Sequence, residues 1–255
     1  MIFNIKDYLS LIKINKGDKI LLNSSILKIL IKIKKDGNLI NPNRIIDFFI
    51  EKIGKEGTLL IPTYNWDFCK GIDFDYCKTK SRTGALSNIC LKRNDFKRSR
   101  NPIYSFAVFG KDQKKICELK HNSCFGLDSP FGYLLKNKGK NISIGIDYIS
   151  SNTFVHVTEE MAQVEYRLFK EFKGIYIDKF DKKKTETYKM YVRKANLVKA
   201  TIHDKSLENI LIKNNILEKK IYNKIVISSA DINKSHKFML DDIKKKRQFI
   251  YPEMI

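Results

Sequence analysis

Gly17-Asp18-Lys19-Ile20-Leu21-Leu22-Asn23-Ser24-Ser25 is the stretch whose reading decides how this chain folds. Gly-Asp is a turn signal, Lys19 to Leu22 is a compact apolar run, and three small polar residues close it, so the spacing predicts a buried strand handing over to a helix. Small polar residues at such a junction either cap the helix or leave its first N–H groups free for an anion or a carbonyl oxygen. Upstream, Ile5, Tyr8, Leu9 and Ile12 stand at helical spacing and predict a short helix over 4–14. Downstream, a helix is expected from Pro42 to Ile53, with Pro42 suited to the first turn. Gly57 to Pro62, Ser105 to Phe109 and Asn141 to Gly145 read as further strands, and 111–119, 130–137 and 153–169 as helices.

Strand and helix thus alternate through the first 170 residues, which implies an α/β sheet covered by helices. After Gly174 the texture changes. Tyr176 to Phe180 and Glu186 to Val192 read as strands around the charged turn Asp181-Lys182-Lys183-Lys184, with more strand near 221–228 and a last helix over 231–246. With no repeat or low-complexity linker in between, the expectation is one domain over 1–255, a core of 1–174 with an appended C-terminal α+β lobe of 175–255.

At 255 residues and 43% hydrophobic content the chain can bury a core without metal or disulfide. It holds no apolar run of about 18 residues, and Met1-Ile2-Phe3-Asn4-Ile5-Lys6-Asp7 lacks the order of a signal peptide, so a soluble, cytoplasmic protein with no membrane partner is expected. The five cysteines show no C-x-x-C spacing and are expected to be free thiols. The net charge of +21 comes almost wholly from dispersed lysines, and only eight of the 49 basic residues are arginines. Four of those eight, Arg82, Arg93, Arg98 and Arg100, fall within nineteen positions and mark a candidate anion site, because the guanidinium grips phosphate or carboxylate with two donors.

A long loop from Thr63 to Thr83 holds Tyr64, Trp66, Phe68, Phe74 and Tyr76 together with Asp67, Asp73 and Asp75. Its aromatic content argues for a functional loop over a disordered one. An RNA-binding module would interleave such aromatics with Arg or Gly on strands, and here they stay in one loop, so no nucleic-acid partner is expected. The segment Thr153-Phe154-Val155-His156-Val157-Thr158-Glu159-Glu160 places an imidazole three residues ahead of a carboxylate, on one face of a helix. Such a pair is either a general base with its partner or a histidine packed at a helix start.

Seven pieces in order resemble the aminoglycoside 3-N-acetyltransferase family. They are Gly17-Asp18 with Asn23-Ser24-Ser25, then Gly54 to Tyr64, Thr83-Gly84-Ala85-Leu86, Arg98 to Ser105, Phe125-Gly126-Leu127-Asp128-Ser129-Pro130, Gly145, and Thr153 to Glu159. The resemblance implies an α/β fold with a central mixed sheet flanked by helices, and a CoA-dependent N-acetyltransferase using acetyl-CoA and no metal. It also implies His156 as the base, Glu159 as its partner, and a CoA channel lined by Ser24, Ser25, Thr83, Gly84, Arg98, Ser99 and Ser105. Tyr64, Trp66 and Asp67 of the aromatic loop are the expected substrate contacts. Asn23 and Asn101 stand where the family usually has histidine, and an amide cannot titrate, so proton transfer is expected to fall on His156.

The expected acceptor is an amino sugar, with a nucleotide-linked one favoured over a polycationic aminoglycoside because the +21 charge draws anions. The alternatives are an aminoglycoside 3-N-acetyltransferase conferring antibiotic resistance and a non-catalytic CoA- or RNA-binding protein.

Overall fold

The computed structural model describes residues 2–194, 205–247 and 249. The strand expected from the opening stretch is β1 (Lys19–Ser24), and it sits at the centre of a seven-stranded sheet. Before it lies α1 (Ile5–Ser10), capped by the Asn4 side chain, which accepts from Lys6 N and Asp7 N and stops short of the expected residue 14. Helices α2 (Leu27–Lys35) and α3 (Asn43–Ile53) follow, and Pro42 is the N-cap of the latter. Next come β2 (Thr58–Pro62), a 3₁₀ turn at Phe68–Lys70, β3 (Phe74–Asp75), α4 (Ala85–Cys90), β4 (Lys97–Arg98) and β5 (Phe106–Gly110). The chain continues through α5 (Gln113–Cys117), α6 (Pro130–Lys136), β6 (Lys140–Ile144), α7 (Tyr148–Ser151) and α8 (Val155–Met161).

β7 (Arg167–Ile177) and β8 (Lys183–Arg193) form a long hairpin, after which come α9 (Lys205–Lys213), β9 (Leu217–Tyr222), β10 (Ile225–Asp231) and α10 (Ile232–Lys245). The main sheet runs in the order β4-β5-β2-β1-β6-β10-β9, and β3, β7 and β8 make a second, smaller sheet. β1 pairs parallel with β2 and β6, while β2–β5 and β6–β10 are antiparallel, so the sheet is mixed. Its central strands read as continuous apolar runs because both faces are covered. One face packs Ile20, Leu22, Leu59 and Ile61 against Ile45, Ile46 and Phe49 of α3. The other presents Leu21, Leu60, Phe106 and Val108 to Phe131, Phe154 and Tyr148.

Two expectations are corrected. The helix expected over 153–169 ends at Met161: Gln163 takes a positive φ of 50°, and from Arg167 the chain is already paired with β8. The boundary near 174 falls inside β7, and the segment beyond 216 is part of the main sheet, because β10 pairs with β6 from Ile227–Ile144 to Asp231–Lys140. The β7–β8 hairpin, joined by the short β3, stands apart as a second sheet. No helix among the described residues is long and apolar enough to cross a membrane.

Candidate active site

At the C-terminal end of β1, Ser24 passes directly into Ser25, whose N–H donates to Ile144 O of β6 at 2.9 Å. Gly145 follows with φ +67°, and a side chain there would meet Ser25 O at 2.3 Å, so the two strand ends are held together by a glycine. The N-cap of α2 is Ile26, which has no side-chain acceptor, and the first N–H groups of the helix therefore lack a side-chain cap. Opposite, α4 begins at Gly84, whose φ of +117° also excludes ordinary side chains and brings its α-carbon face against Ser24 O. These elements bound a cavity of about 610 Å³ lined by Ser24, Ser25, Tyr64, Trp66, Thr83, Gly84 and His156, among others.

His156 is on the first turn of α8, with Nδ1 at 2.7 Å from Glu159 Oε2. The carboxylate is the acceptor, so the hydrogen-bond network assigns the proton to Nδ1 and leaves Nε2 as the basic nitrogen. The Glu159 side chain is only 5% exposed. Tyr166 donates to its Oε1 at 3.1 Å, and Arg167 Nε lies 2.9 Å from Oε2, out of line for a hydrogen bond but close enough for an ion pair. Burial pushes the Glu159 carboxyl up, but the His156 hydrogen bond and the charges of His156 and Arg167 outweigh it, leaving the group below the ordinary glutamate value. The Phe125 ring rests against the imidazole at 5.1 Å between centroids, so the ring is held from two sides.

Glu160, next along the helix, turns away from this pair: Ser123 Oγ donates to its carboxylate at 2.7 Å. Burial pushes its carboxyl up, and nearby Asp128 adds to the effect. Both carboxylates face Gly126, where a Cβ would meet Asp128 Oδ1 at 2.5 Å and Glu160 Oε1 at 3.5 Å. Of the other histidines, His121 Nδ1 contacts Ser123 O and His236 Nδ1 contacts Thr158 Oγ1, each at 2.8 Å, and burial lowers the pKa of both. His203 lies outside the described residues.

Arg98, Ser99 and Ser105 do not reach this cavity, contrary to the expected channel. Arg98 is 3% exposed and spends its guanidinium on Ser105 Oγ (3.0 Å), Thr79 O (2.6 Å) and Thr63 O (3.2 Å), pinning the aromatic loop to the sheet edge. Ser99 Oγ accepts from Phe106 N at 2.9 Å, and Ser105 Oγ donates to Thr63 O at 2.9 Å. Asp67 also differs from expectation, since Arg82 binds its Oδ2 through Nη2 at 2.7 Å and through Nε at 3.1 Å. Asp75 caps the backbone of Cys77 and Lys78.

Asn23 lines the cavity and donates to Asn141 Oδ1 at 2.7 Å. Asn101 is fully buried, and its Oδ1 accepts from the N–H groups of Ile103 and Tyr104 at 2.9 and 2.8 Å. Both asparagines are therefore structural linkers here. Sequence reading missed Tyr166 and Arg167 as partners of Glu159. Their only signal is a spacing of seven and eight residues, which a continuous helix would explain equally well.

A family model described as aminoglycoside 3-N-acetyltransferase matches residues 35–233. A relative from Bacillus subtilis (strain 168), the SPbeta prophage-derived aminoglycoside N(3')-acetyltransferase-like protein YokD, is 27% identical over 133 residues, covering 50% of this chain and 47% of its own length. The match thus spans about half of that curated relative. Among solved structures, aminoglycoside acetyltransferase AAC(3)-Xa superposes with a TM-score of 0.78 at 17% identity over 94% of this chain and 91% of that one. AAC-IIIb in a binary complex with CoASH gives 0.77 at 15% identity over 93% and 94%, and AAC-VIa bound to sisomicin gives 0.76 at 16% over 93% and 95%. These likenesses show a shared fold, and the family model extends over most of the sequence: the chain belongs to the aminoglycoside 3-N-acetyltransferase family.

Proposed function

We propose that the protein is an acetyl-CoA-dependent N-acetyltransferase that acts on an amino group of an amino sugar, with His156 as general base in a ternary complex. The observation that carries this reading is the His156–Glu159 pair at the wall of a cavity that also presents Ser24, Ser25, Thr83 and Gly84. Acetyl-CoA, when bound, supplies the acyl group as an activated thioester. The starts of α2 and α4 both line the cavity and neither has a side-chain cap, so no side chain of their own competes with the anionic or carbonyl oxygens of a ligand for their N–H groups.

An aliphatic amine is mostly protonated at neutral pH and attacks only after losing a proton. Glu159 holds Nδ1, so Nε2 of His156 is the atom that receives it, and the buried carboxylate stabilises the imidazolium that results. The five cysteines are free, but burial raises the thiols of Cys69, Cys90, Cys117 and Cys124, which favours direct transfer over an acetyl-cysteine.

For the acceptor, no carboxylate stands among the lining residues of the cavity and the chain bears +21, which together favour an anionic, nucleotide-linked amino sugar. A second reading, an aminoglycoside, is favoured by the Glu160 and Asp128 carboxylates on either side of Gly126, the residue after Phe125, whose ring lies against His156. Thiol release from acetyl-CoA, measured against both acceptor classes across salt concentrations, separates them. Turnover of a nucleotide-linked sugar that falls as salt rises supports the first reading. Robust aminoglycoside acetylation, lost in Glu160→Gln and with no turnover of nucleotide-linked sugars, establishes the second. No turnover with either class would sink the amino-sugar reading.

A further inference from the structure

A second cavity, of about 890 Å³, opens where β4, α5 and the β7–β8 turn meet, and it shares no lining residue with the cavity at His156. Seven cationic side chains line it against two acidic ones, Glu118 and Asp178. Arg100 and Lys184 share Glu186, at 3.6 and 2.7 Å. The other five, including Arg98, Lys97 and Lys120, make no ion pair among the described residues. Asp178 is already engaged by the N–H groups of Phe180 and Lys182.

Arg98 is the buried member of the set. Its hydrogen bonds go to carbonyls and a hydroxyl, which solvate the guanidinium without cancelling its charge. Burial correspondingly lowers its pKa to about 10. An anion in the cavity would supply the missing countercharge.

The walls are aromatic as well as basic. Tyr76, Phe96, Tyr176 and Phe180 all contribute, and Phe180 is 70% exposed with Lys179 Nζ lying 4.9 Å from its ring centroid. Lys184 approaches the Tyr176 ring at 5.9 Å. A cavity of this size, with convergent cations and the exposed Phe180 ring at its wall, fits a ligand that joins phosphate groups to a planar ring. We propose that this cavity is a second binding site, one that takes a phosphate-bearing anion of nucleotide size. The arginine cluster of the sequence then has a physical meaning separate from acyl transfer, since Arg82 and Arg93 are occupied by Asp67, Asp47 and Asp95 while Arg98 and Arg100 face this cavity.

Binding of ADP, pyrophosphate and adenosine to the full chain by calorimetry tests this, beside the variant Lys97→Glu/Lys120→Glu, whose two side chains are exposed and carry no catalytic role. ADP is expected to bind, and the variant to weaken it about tenfold or more, since exposed cations act mainly through the field they place on a phosphate. Cys77 is exposed and lines the cavity, so bound ADP should also slow its alkylation, read by peptide mass, while leaving Cys69 unaffected.

ADP binding tighter than pyrophosphate identifies a nucleotide site, and equal affinities identify a site for free diphosphate. No binding of either, undiminished binding by the charge-reversed variant, unprotected Cys77, or adenosine binding as well as ADP would each overturn the proposal. None of these readouts depends on acetyl transfer.

Discussion

Glu159 and Arg98 are both charged, both buried and both in segments the sequence marks out, yet the protein holds them in opposite ways. Around α8, the carboxylate has a histidine, an arginine and a tyrosine hydroxyl within 3.1 Å, so its charge is compensated and drawn toward a cavity. At β4, the guanidinium has backbone carbonyls and Ser105 for partners, and its work is to fasten the loop of Tyr64 and Trp66 onto the sheet edge. The difference teaches that a charge placed by a motif acquires its role from its partners. A compensated charge tunes a neighbouring group, whereas a guanidinium solvated by carbonyls and a hydroxyl braces structure and keeps its charge uncancelled.

Substitution should pull the two regions apart. His156→Asn removes the basic nitrogen without changing the packing much, and transfer is expected to fall by about 10²–10⁴ with the thermal midpoint nearly unchanged. Steady-state rates beside a melting curve check this, and a variant retaining more than a tenth of the rate would break the assignment. Arg98→Met should do the reverse. With the Thr79 carbonyl left unpaired and Thr63 O keeping only its Ser105 Oγ donor, unfolding free energy is expected to drop by roughly 2–4 kcal/mol, read by urea titration. A folded, equally stable Arg98→Met protein that has lost only acetyl-CoA affinity would return Arg98 to the channel of the acyl donor.

Glu159→Gln sharpens the comparison through pH. The carboxyl is held below its ordinary value of 4.5, so its contribution to stability is fully present above that value and is lost as pH falls toward the lower folded-state value. Between neutrality and about pH 5 the wild type should hold its urea midpoint, then lose it on further acidification, and the variant should lack that last component. Transfer by the variant at neutral pH should fall about tenfold to a hundredfold, less than for His156→Asn, since positioning is affected more than the base itself. The smallest effect is expected for Asp67→Asn. Its partner Arg82 is 59% exposed, so the pair is screened, and kcat/KM for an amino-sugar acceptor should stay within about twofold. A larger loss would bring the acidic loop back as an acceptor contact.

Much of this architecture is legible in the sequence. β1, β2, β5 and β6 lie within one or two residues of their apolar runs, because strands covered on both faces announce themselves by continuous hydrophobicity. The pairing of His156 with Glu159 followed from helical spacing alone. What stayed hidden depends on tertiary partners. β7 carries Lys170, Glu171 and Lys173 in its first half and is mostly exposed there, so its strand character comes from the ladder with β8, not from an alternating pattern. For the same reason the turn that brings Tyr166 and Arg167 back onto Glu159 left no mark in the periodicity. The arginine cluster was legible as a cluster, but the distribution of its members between ion pairs, a structural brace and a second cavity was not.

The pairing of β10 with β6 has a consequence for how the molecule is assembled. Strand β6 must wait for a partner more than eighty positions later, while the whole β7–β8 hairpin, a local structure able to form early, is made in between. α10, which follows β10 directly, packs on α8 and sets His236 against Thr158, two positions from His156. During synthesis, then, the helix bearing the candidate base has no finished support until the chain past residue 240 has emerged. The site should be among the last features to mature on the ribosome, and the exposed edge of β6 the surface most in need of shelter until then.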